Sequence, residues 1–127
     1  MKTWDVAIEG IQKIPEKVVR GTVLGMFSRI VKRSPVKSGR FRGNWQITID
    51  SRATGELAPD KTGNQTISAA ASIAQGQRFP ASAYFISNNL PYGEKLELGS
   101  SQQAPNGMVR ISVAEFERVI REEAAKL

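Results

Sequence analysis

The strongest constraint on the fold is one long apolar stripe between Pro15 and Arg33. The apolar side chains recur every three or four positions, at Val19, Val23, Met26, Phe27 and Ile30. This spacing predicts an amphipathic helix, and a helix of that length extends about 28 Å. Pro15 suits its first turn, and Ser34-Pro35 ends it because the residue before a proline avoids the α region.

Composition limits the kinds of function that the chain can have. Its 127 residues predict a single domain, 1–127, and the 40% hydrophobic and 24% charged residues are typical of a globular protein. Cysteine and histidine are both absent, which excludes disulfides, thiol catalysis and imidazole-based triads. We therefore expect no enzymatic activity, no catalytic residues, no metal and no cofactor. No stretch is apolar enough to span a membrane, and the acids near the start argue against a signal peptide.

Other segments of the chain predict further elements. Trp4, Ile8 and Ile11 favour a short helix over 3–12. Strict alternation over 44–50 predicts a half-buried strand, and 51–64 is typical of a long surface loop. For 65–74 the alanines favour a helix, while the alternating isoleucines and alanines leave a strand open. A short strand is expected over 83–87.

The last third of the chain predicts a helix, a strand and a second helix. Pro91 is suited to open a short helix that Gly99 closes, and 108–111 is expected to form a strand. Ser112 and Glu115 then match a capping box. The final helix that follows would carry a stripe of Val113, Phe116, Ile120, Ala124 and Leu127. The fold class is α+β, with a long N-terminal amphipathic helix, a small mainly antiparallel sheet and a C-terminal amphipathic helix.

Positive charge is concentrated in one third of the chain, which is net +6 overall. Between Lys17 and Ile49 there is no acid, and the basic residues are Lys17, Arg20, Arg29, Lys32, Arg33, Lys37, Arg40 and Arg42. This basic block is a candidate contact for phosphates or for an acidic protein surface. A solvated helix face is the plain alternative. No zinc finger or RNA-recognition pattern is present, so any DNA contact would be to the backbone.

Two pairs of charged residues stand out. Arg40 and Arg42 would point the same way on an extended chain and could clamp a phosphate or carboxylate. The favoured interpretation is a structural turn whose arginines satisfy carbonyls at the end of a helix. Glu94 and Glu97 are three apart, and a solvated helix face is favoured over a glycosidase or metal pair.

Three motifs together resemble a known family. The first has Ser34-Pro35-Val36, Gly39-Arg40, Arg42 and Trp45, and the second has Asn88-Asn89-Leu90-Pro91-Tyr92, Leu96-Glu97, Gly99 and Ser101. The third reads Ala104-Pro105 and Gly107-Met108-Val109-Arg110. In this order they resemble the tail-completion or neck proteins, minor tail components of long-tailed bacteriophages and prophages. Lys37-Ser38 departs from the family's Asp-Thr, and Gly93 from its Ala.

The resemblance implies a non-enzymatic virion protein that assembles in the bacterial host cytoplasm. It would form a ring, expected to be hexameric, at the neck between the head connector and the tail. Its partners would be itself, connector or head-completion proteins, and tail-tube or tail-terminator proteins. DNA in the channel is a further contact for the basic block, and no membrane is involved. The strands and the 51–64 loop would make these contacts, with the loop disordered until a partner docks.

Two other functional classes stay open at this stage. One is a small basic protein that binds the DNA backbone, whose affinity would fall steeply with salt. The other is a carboxylate-based hydrolase, which would depend on Glu94 and Glu97.

Overall fold

The computed structural model describes the backbone of residues 4–9 and all of residues 14–76, 83–91, 96–99, 101–103 and 107–127. The elements in chain order are β1 (Trp4–Glu9), α1 (Glu16–Arg33), α2 (Arg40–Gly43), β2 (Trp45–Ile49), α3 (Asn64–Gly76), β3 (Ala83–Asn88), α4 (Val109–Ala114) and α5 (Phe116–Ala125). This is the predicted α+β class. None of the described helices has both the length and the apolar character needed to cross a membrane.

The described strands form one antiparallel sheet in the order β1-β3-β2. β3 lies in the centre and is antiparallel to both neighbours, with Ile86 opposite Ile47 on β2 and Val6 on β1. The predicted strands over 44–50 and 83–87 are confirmed. The buried side chains of Trp45, Ile47, Tyr84 and Ile86 join the core against α1.

The helix predicted over 3–12 is wrong, because residues 4–9 form β1. Trp4 and Ile8 are four residues apart, a spacing that fits a helical face and one face of a strand equally well. Pairing with β3 along the whole of β1 decides between them. Residues 3 and 10–12 lie outside the described part of the chain.

Helix α1 is the predicted amphipathic helix. Its stripe of Val19, Val23, Met26, Phe27 and Ile30 is buried. Two glycines allow α5 to approach closely: a Cβ on Gly21 would lie 2.5 Å from the Glu123 carboxyl carbon, and one on Gly25 would lie 3.1 Å from Val119. The close contact of α1 with α5 therefore explains why α1 tolerates two weak helix formers.

The sequence predicts that six aromatic residues lie mostly in the core: Phe41, Trp45, Tyr84, Phe85, Tyr92 and Phe116. Trp45, Tyr84 and Phe41 are buried, and the Phe41 and Trp45 rings meet edge to face with centroids 5.7 Å apart. Phe116 is half-buried against the core, and Phe85 is half-buried beneath the guanidinium of Arg52. Tyr92, also expected in the core, lies outside the described residues.

Residues 65–74 form a helix, as predicted, within α3. α3 buries Thr66, Ala70 and Ala74, four residues apart, against α1 and β2. The alanines fit this close packing, whereas the two-residue alternation does not correspond to the buried face. The 51–64 segment is a largely exposed loop up to the start of α3, as predicted.

Three predictions about the last third of the chain are wrong. Residues 108–111 do not form a strand, because Met108 is the N-cap residue of α4 and 109–111 form its first turn. Ser112 lies inside α4 and donates to the Met108 carbonyl, so it is no N-cap, and Glu115 instead pairs with Arg33 and Arg118. The C-terminal amphipathic helix exists as α5, but its most buried residue is Val119 at 2%, while Val113 and Leu127 are 47% and 68% exposed. The predicted stripe is therefore right for Phe116, which packs against the core, and wrong for Val113 and Leu127.

Candidate functional site

The first motif folds into a tight connection from α1 to β2. Ser34 is buried where α1 ends, and its hydroxyl donates to the Ile30 carbonyl at 2.8 Å. The indole N–H of Trp45 donates to the same hydroxyl oxygen at 2.7 Å. Ser34 thus joins the end of α1 to the start of β2, and Pro35 directs the chain away from the helix.

Arg42 stabilises this connection as the structural interpretation of the motif predicted. Its guanidinium donates to the carbonyls of Lys32 at 3.1 Å and Ser34 at 2.7 Å, at the C-terminus of α1. The same group reaches the Lys61 carbonyl in the loop at 3.0 Å. Burial lowers the pKa of Arg42, and the nearby Asp60 carboxylate counteracts that shift. Arg42 is therefore committed to backbone oxygens at a helix end, where a cation is favourable.

The possible clamp formed by Arg40 and Arg42, which assumed an extended chain, is wrong. Arg40 and Arg42 lie on the helical turn α2, where residues two apart point in different directions. Arg40 instead pairs with Glu56 in the loop at 2.8 Å, and both side chains are about half exposed. The two arginines therefore hold different parts of the loop and do not converge on one ligand.

Most of the basic block is engaged within the chain. Arg20 pairs with Glu16, Arg33 pairs with Glu115, and Arg29 donates to the Gly25 carbonyl of its own helix. Lys32 donates to the Thr62 carbonyl at 2.8 Å and to the Asn64 side chain at 2.9 Å. Lys17 and Lys37 are exposed. The block is thus largely structural and does not present a continuous row of cations.

Gly39 allows the loop to lie directly on the motif. Its φ of +84° suits glycine, and an added Cβ would lie 2.6 Å from the Lys61 amide nitrogen. Its carbonyl accepts the Asp60 N–H at 2.9 Å. These contacts argue against the prediction that the whole 51–64 loop is disordered before a partner docks.

Three asparagines connect the first motif, the loop and the end of β3. Asn44 is buried, donates to the Arg40 and Leu57 carbonyls, and accepts the Leu57 N–H at 2.6 Å. Asn88 donates to the Phe41 carbonyl at 2.9 Å and accepts the Leu90 N–H, the predicted local turn. Asn89 reaches the Ala53 and Gly55 carbonyls in the loop. The sequence analysis placed Asn44 within the strand predicted over 44–50 and did not identify its role.

Glu97 is the most unexpected of the motif residues. The prediction of a solvated helix face is wrong for it, because its side chain is fully buried. The carboxylate accepts the N–H groups of Met108, Val109 and Arg110 at 3.1, 2.8 and 2.9 Å, and the Arg110 Nε–H at 3.0 Å. Glu97 therefore caps α4 from a distant part of the chain. Its neighbour in the predicted pair, Glu94, lies outside the described residues.

Gly107 and Gly99 shape the chain around this carboxylate. Gly107 has φ +79°, and an added Cβ would lie 2.5 Å from both the Glu97 carbonyl oxygen and its Oε2. Gly99 has φ +94° and donates to the Leu96 carbonyl at 3.1 Å, while residues 92–95 of the short helix that it was predicted to close lie outside the described residues. Pro91 is exposed at the start of that segment, and Pro105 lies outside the described residues.

The first and second motifs face each other across a cavity of about 350 Å³. Its lining includes Pro35, Val36 and Phe41 on one side and Leu96, Ser101 and Gln103 on the other. The Gln103 amide accepts the Val36 N–H at 2.8 Å and donates to the Val36 carbonyl at 3.1 Å. We call residues 34–45, 88–90, 96–99, 101–103 and 107–110 the motif framework. Hydrogen bonds join 34–45 to Asn88 and Gln103 and join Glu97 to 108–110, and Leu96 lines the same cavity as 35–41.

Asp60 fixes the loop where it leads into α3. Its carboxylate accepts the N–H groups of Gly63 and Thr66 and the hydroxyl of Thr66, at 3.1, 2.8 and 2.9 Å. Burial would raise the pKa of Asp60, but the hydrogen bonds from Thr66, Gly63 and Thr62 outweigh it, so the pKa lies below its usual value. No signal considered in the sequence analysis identified this residue.

The lowered pKa of Asp60 predicts a loss of stability in acid. Because its folded-state pKa is depressed, the stabilisation is present above the ordinary aspartate pKa of about 3.9 and is lost as the pH falls below that value. Asp60→Asn should therefore lower the free energy of unfolding at pH 7. Near pH 3 the free energies of unfolding of the variant and the wild type should differ less. Urea unfolding at both pH values measures this; an unchanged difference would contradict it. Glu117→Gln is the control, because the Glu117 side chain is 82% exposed. Asp50 is unsuitable as a control, because its carboxylate accepts the Ala83 N–H.

Across the described residues, no three acidic side chains come together closely enough to hold a metal ion. Comparison with protein-family models, with curated proteins and with solved structures finds no match to this chain.

Proposed function

We propose that this protein is a structural virion component of a long-tailed bacteriophage or prophage. It would form a ring, expected to be hexameric, at the neck, where it completes the tail and joins it to the head connector. The observation that carries the proposal is the motif framework. The residues that resemble the neck-protein pattern hold one another through buried hydrogen bonds, such as Asn88 to Phe41 and Glu97 to Val109.

A framework of this kind suits a part that fits against other proteins. Its polar side chains form hydrogen bonds with backbone atoms of the same chain. Arg42 binds the C-terminal end of α1, Glu97 binds the N-terminal end of α4, and Asn44 binds the loop. Such satisfied networks make a domain rigid. Rigidity lowers the entropy lost when copies assemble into a ring, because fewer side chains and loops have to be ordered.

In vitro complementation tests the proposal. Inactivating the gene in its phage or prophage should leave DNA-filled heads and free tails that do not join, seen by electron microscopy. Adding the purified protein to that lysate should restore joined, infectious particles, counted as plaques. Normal particles formed without the protein, or turnover of a substrate by the protein, would overturn the proposal.

The alternative of a DNA-backbone binder makes a different prediction. Arg20, Arg33 and Arg42 are engaged by protein groups, so few cations of the basic block are available for phosphates. We expect weak binding to duplex DNA at 150 mM salt, measured by fluorescence anisotropy. A dissociation constant well below about 1 μM, with an affinity that falls steeply as salt rises, would favour the alternative instead.

A further inference from the structure

The cavity between the first and second motifs is formed by the chain on its own. Its volume of about 350 Å³ lies within the usual range of ligand pockets, about 300–1,000 Å³. Gln103 joins the two walls, because its amide binds both the N–H and the carbonyl of Val36. Leu96, on the second wall, precedes Glu97, whose buried carboxylate is bonded to α4. Since both walls are fixed, a ligand that enters the cavity orders little of the protein.

Much of the lining of this cavity is apolar. Pro35, Val36 and Leu96 are half-buried there, and Phe41 is 5% exposed. An aliphatic side chain that covers this surface removes it from water, which favours binding. The cavity therefore suits a ligand that has an aliphatic part.

Three polar side chains of the lining can donate hydrogen bonds to a ligand. Lys37 is exposed and forms no ion pair or hydrogen bond with the described part of the chain. The hydroxyl oxygens of Ser38 and Ser101 accept the N–H groups of Arg40 and Gln103, both at 3.2 Å. Each hydroxyl therefore keeps its own proton to donate. An ionised carboxylate only accepts hydrogen bonds, and so it complements these donors.

The side chains that line the cavity carry positive charge. None of the described lining residues is acidic, whereas Lys37 and Arg40 are cations. Arg40 pairs with Glu56, which is not part of the lining, and the two cations exceed that carboxylate by one charge. A local excess of positive charge attracts an anionic ligand. The charge and the hydrogen-bond donors therefore favour the same chemical group.

We propose that this cavity binds an acidic and aliphatic segment of a neighbouring protein. A carboxylate of that segment lies against Lys37 and the two serine hydroxyls, and an adjoining aliphatic side chain covers Phe41 and Leu96. A nucleic-acid backbone offers acceptor oxygens but no aliphatic side chain, so it fits the apolar part of the lining less well. The inference rests on the proposed function for one point, that the neighbour is another virion protein.

A blocked tripeptide, acetyl-Leu-Asp-Leu-amide, tests the inference on the full chain without any other virion protein. Amide NMR spectra of the isotope-labelled protein should show shifts at 36–41 and 101–103, with a dissociation constant of about 1 mM. Acetyl-Leu-Asn-Leu-amide has nearly the same shape without the charge, and it should bind about tenfold more weakly. The inference is overturned if the two peptides bind equally, or if neither shifts these signals at about 10 mM.

Inorganic phosphate distinguishes the proposed site from a general anion site. Phosphate has negative charge and acceptor oxygens but no aliphatic part, so it should bind about tenfold more weakly than the aspartyl peptide. Competition between the two is measured by the same NMR shifts. If phosphate displaces the aspartyl peptide fully at equal concentration, the cavity binds anions in general and the inference is wrong.

Charge reversal at two exposed lysines gives a second test. Lys37→Glu should weaken binding of the aspartyl peptide about tenfold or more, because a like charge then faces the carboxylate. Lys17→Glu is the matched control, since Lys17 is exposed in the first turn of α1 and lies outside the lining. It should leave binding unchanged, and circular dichroism checks that both variants are folded. Equal losses in the two variants would show that net charge alone attracts the peptide, which contradicts the inference.

The complementation assay separates this inference from the proposed function. We expect Lys37→Glu to lower the plaque count about tenfold or more, and Lys17→Glu to match the wild type. If the wild type restores joined particles and Lys37→Glu does so equally well, the docking site is wrong and the proposed function stands. If the peptide binds as expected but the wild type restores no particles, the docking site stands and the proposed function is wrong.

Discussion

Glu97→Ala should lower the free energy of unfolding by about 3–5 kcal/mol, because it leaves several backbone N–H groups without an acceptor at about 1–3 kcal/mol each. The fully buried carboxylate accepts three backbone N–H groups and the Arg110 Nε–H. Alanine leaves these donors without acceptors inside the protein. Chemical denaturation monitored by circular dichroism measures the change.

A matched pair of substitutions isolates the role of the carboxylate. Glu97→Gln keeps one acceptor oxygen but turns an NH₂ group towards donors, so we expect an intermediate loss. Glu117→Ala removes a carboxylate that is 82% exposed and should change stability by about 0.5 kcal/mol or less. A loss at Glu97→Ala no larger than that of Glu117→Ala would show that the buried cap contributes nothing.

Gly39→Ala should destabilise the protein by roughly 2–5 kcal/mol, through two separable effects. The backbone φ of +84° is unfavourable for alanine, and the new methyl group would lie 2.6 Å from the Lys61 nitrogen and 2.9 Å from the Asp60 carbonyl carbon. Both neighbours are backbone atoms, so no side-chain rotation relieves the overlap. The thermal unfolding midpoint reports the loss.

Two other glycines separate these effects. Gly55 has a similar φ of +82° with nothing within 4 Å of an added Cβ, so Gly55→Ala should cost about 1 kcal/mol from conformation alone. Gly76 lies within α3 with the same open space, and alanine there should be neutral or stabilising. Equal losses at Gly39 and Gly55 would show that the loop does not lie against Gly39.

Elements with a long, strictly periodic pattern were predictable from the sequence. α1 follows from five apolar residues at helical spacing, and β2 follows from Trp45, Ile47 and Ile49 at a spacing of two. In both, the periodicity reflects burial of one face, which is a local property of the segment. The alanine-rich α3 was assigned correctly because a high helix propensity agreed with close packing on α1.

The errors arose where a distant residue decides the structure. Met108 to Ile111 have a strand-like composition, but the Glu97 carboxylate satisfies the first N–H groups of α4 and so fixes a helix. Ser112 and Glu115 match a capping box, but Arg33 engages both side chains from α1. Neither contact can be found from local sequence, because Arg33 and Ser112 are 79 residues apart.

The arginines show the same limit at the candidate site. Their number and clustering predicted contacts with partners, whereas the structure assigns Arg42 to carbonyl oxygens of its own chain. The favoured interpretation of Arg40 and Arg42, as arginines that satisfy carbonyls at a helix end, anticipated this arrangement for Arg42. The family resemblance stays a prediction, although many of its motif residues are joined by hydrogen bonds in the motif framework.

The three carbonyl groups that Arg42 binds belong to two separate segments of the chain, α1 with its C-terminal end and the loop. One guanidinium joins the last turn of α1, through Lys32 and Ser34, to the loop at Lys61. A displacement of the loop at Lys61 is therefore transmitted to the end of α1 through the hydrogen bonds of Arg42. The loop and the end of α1 are therefore mechanically coupled.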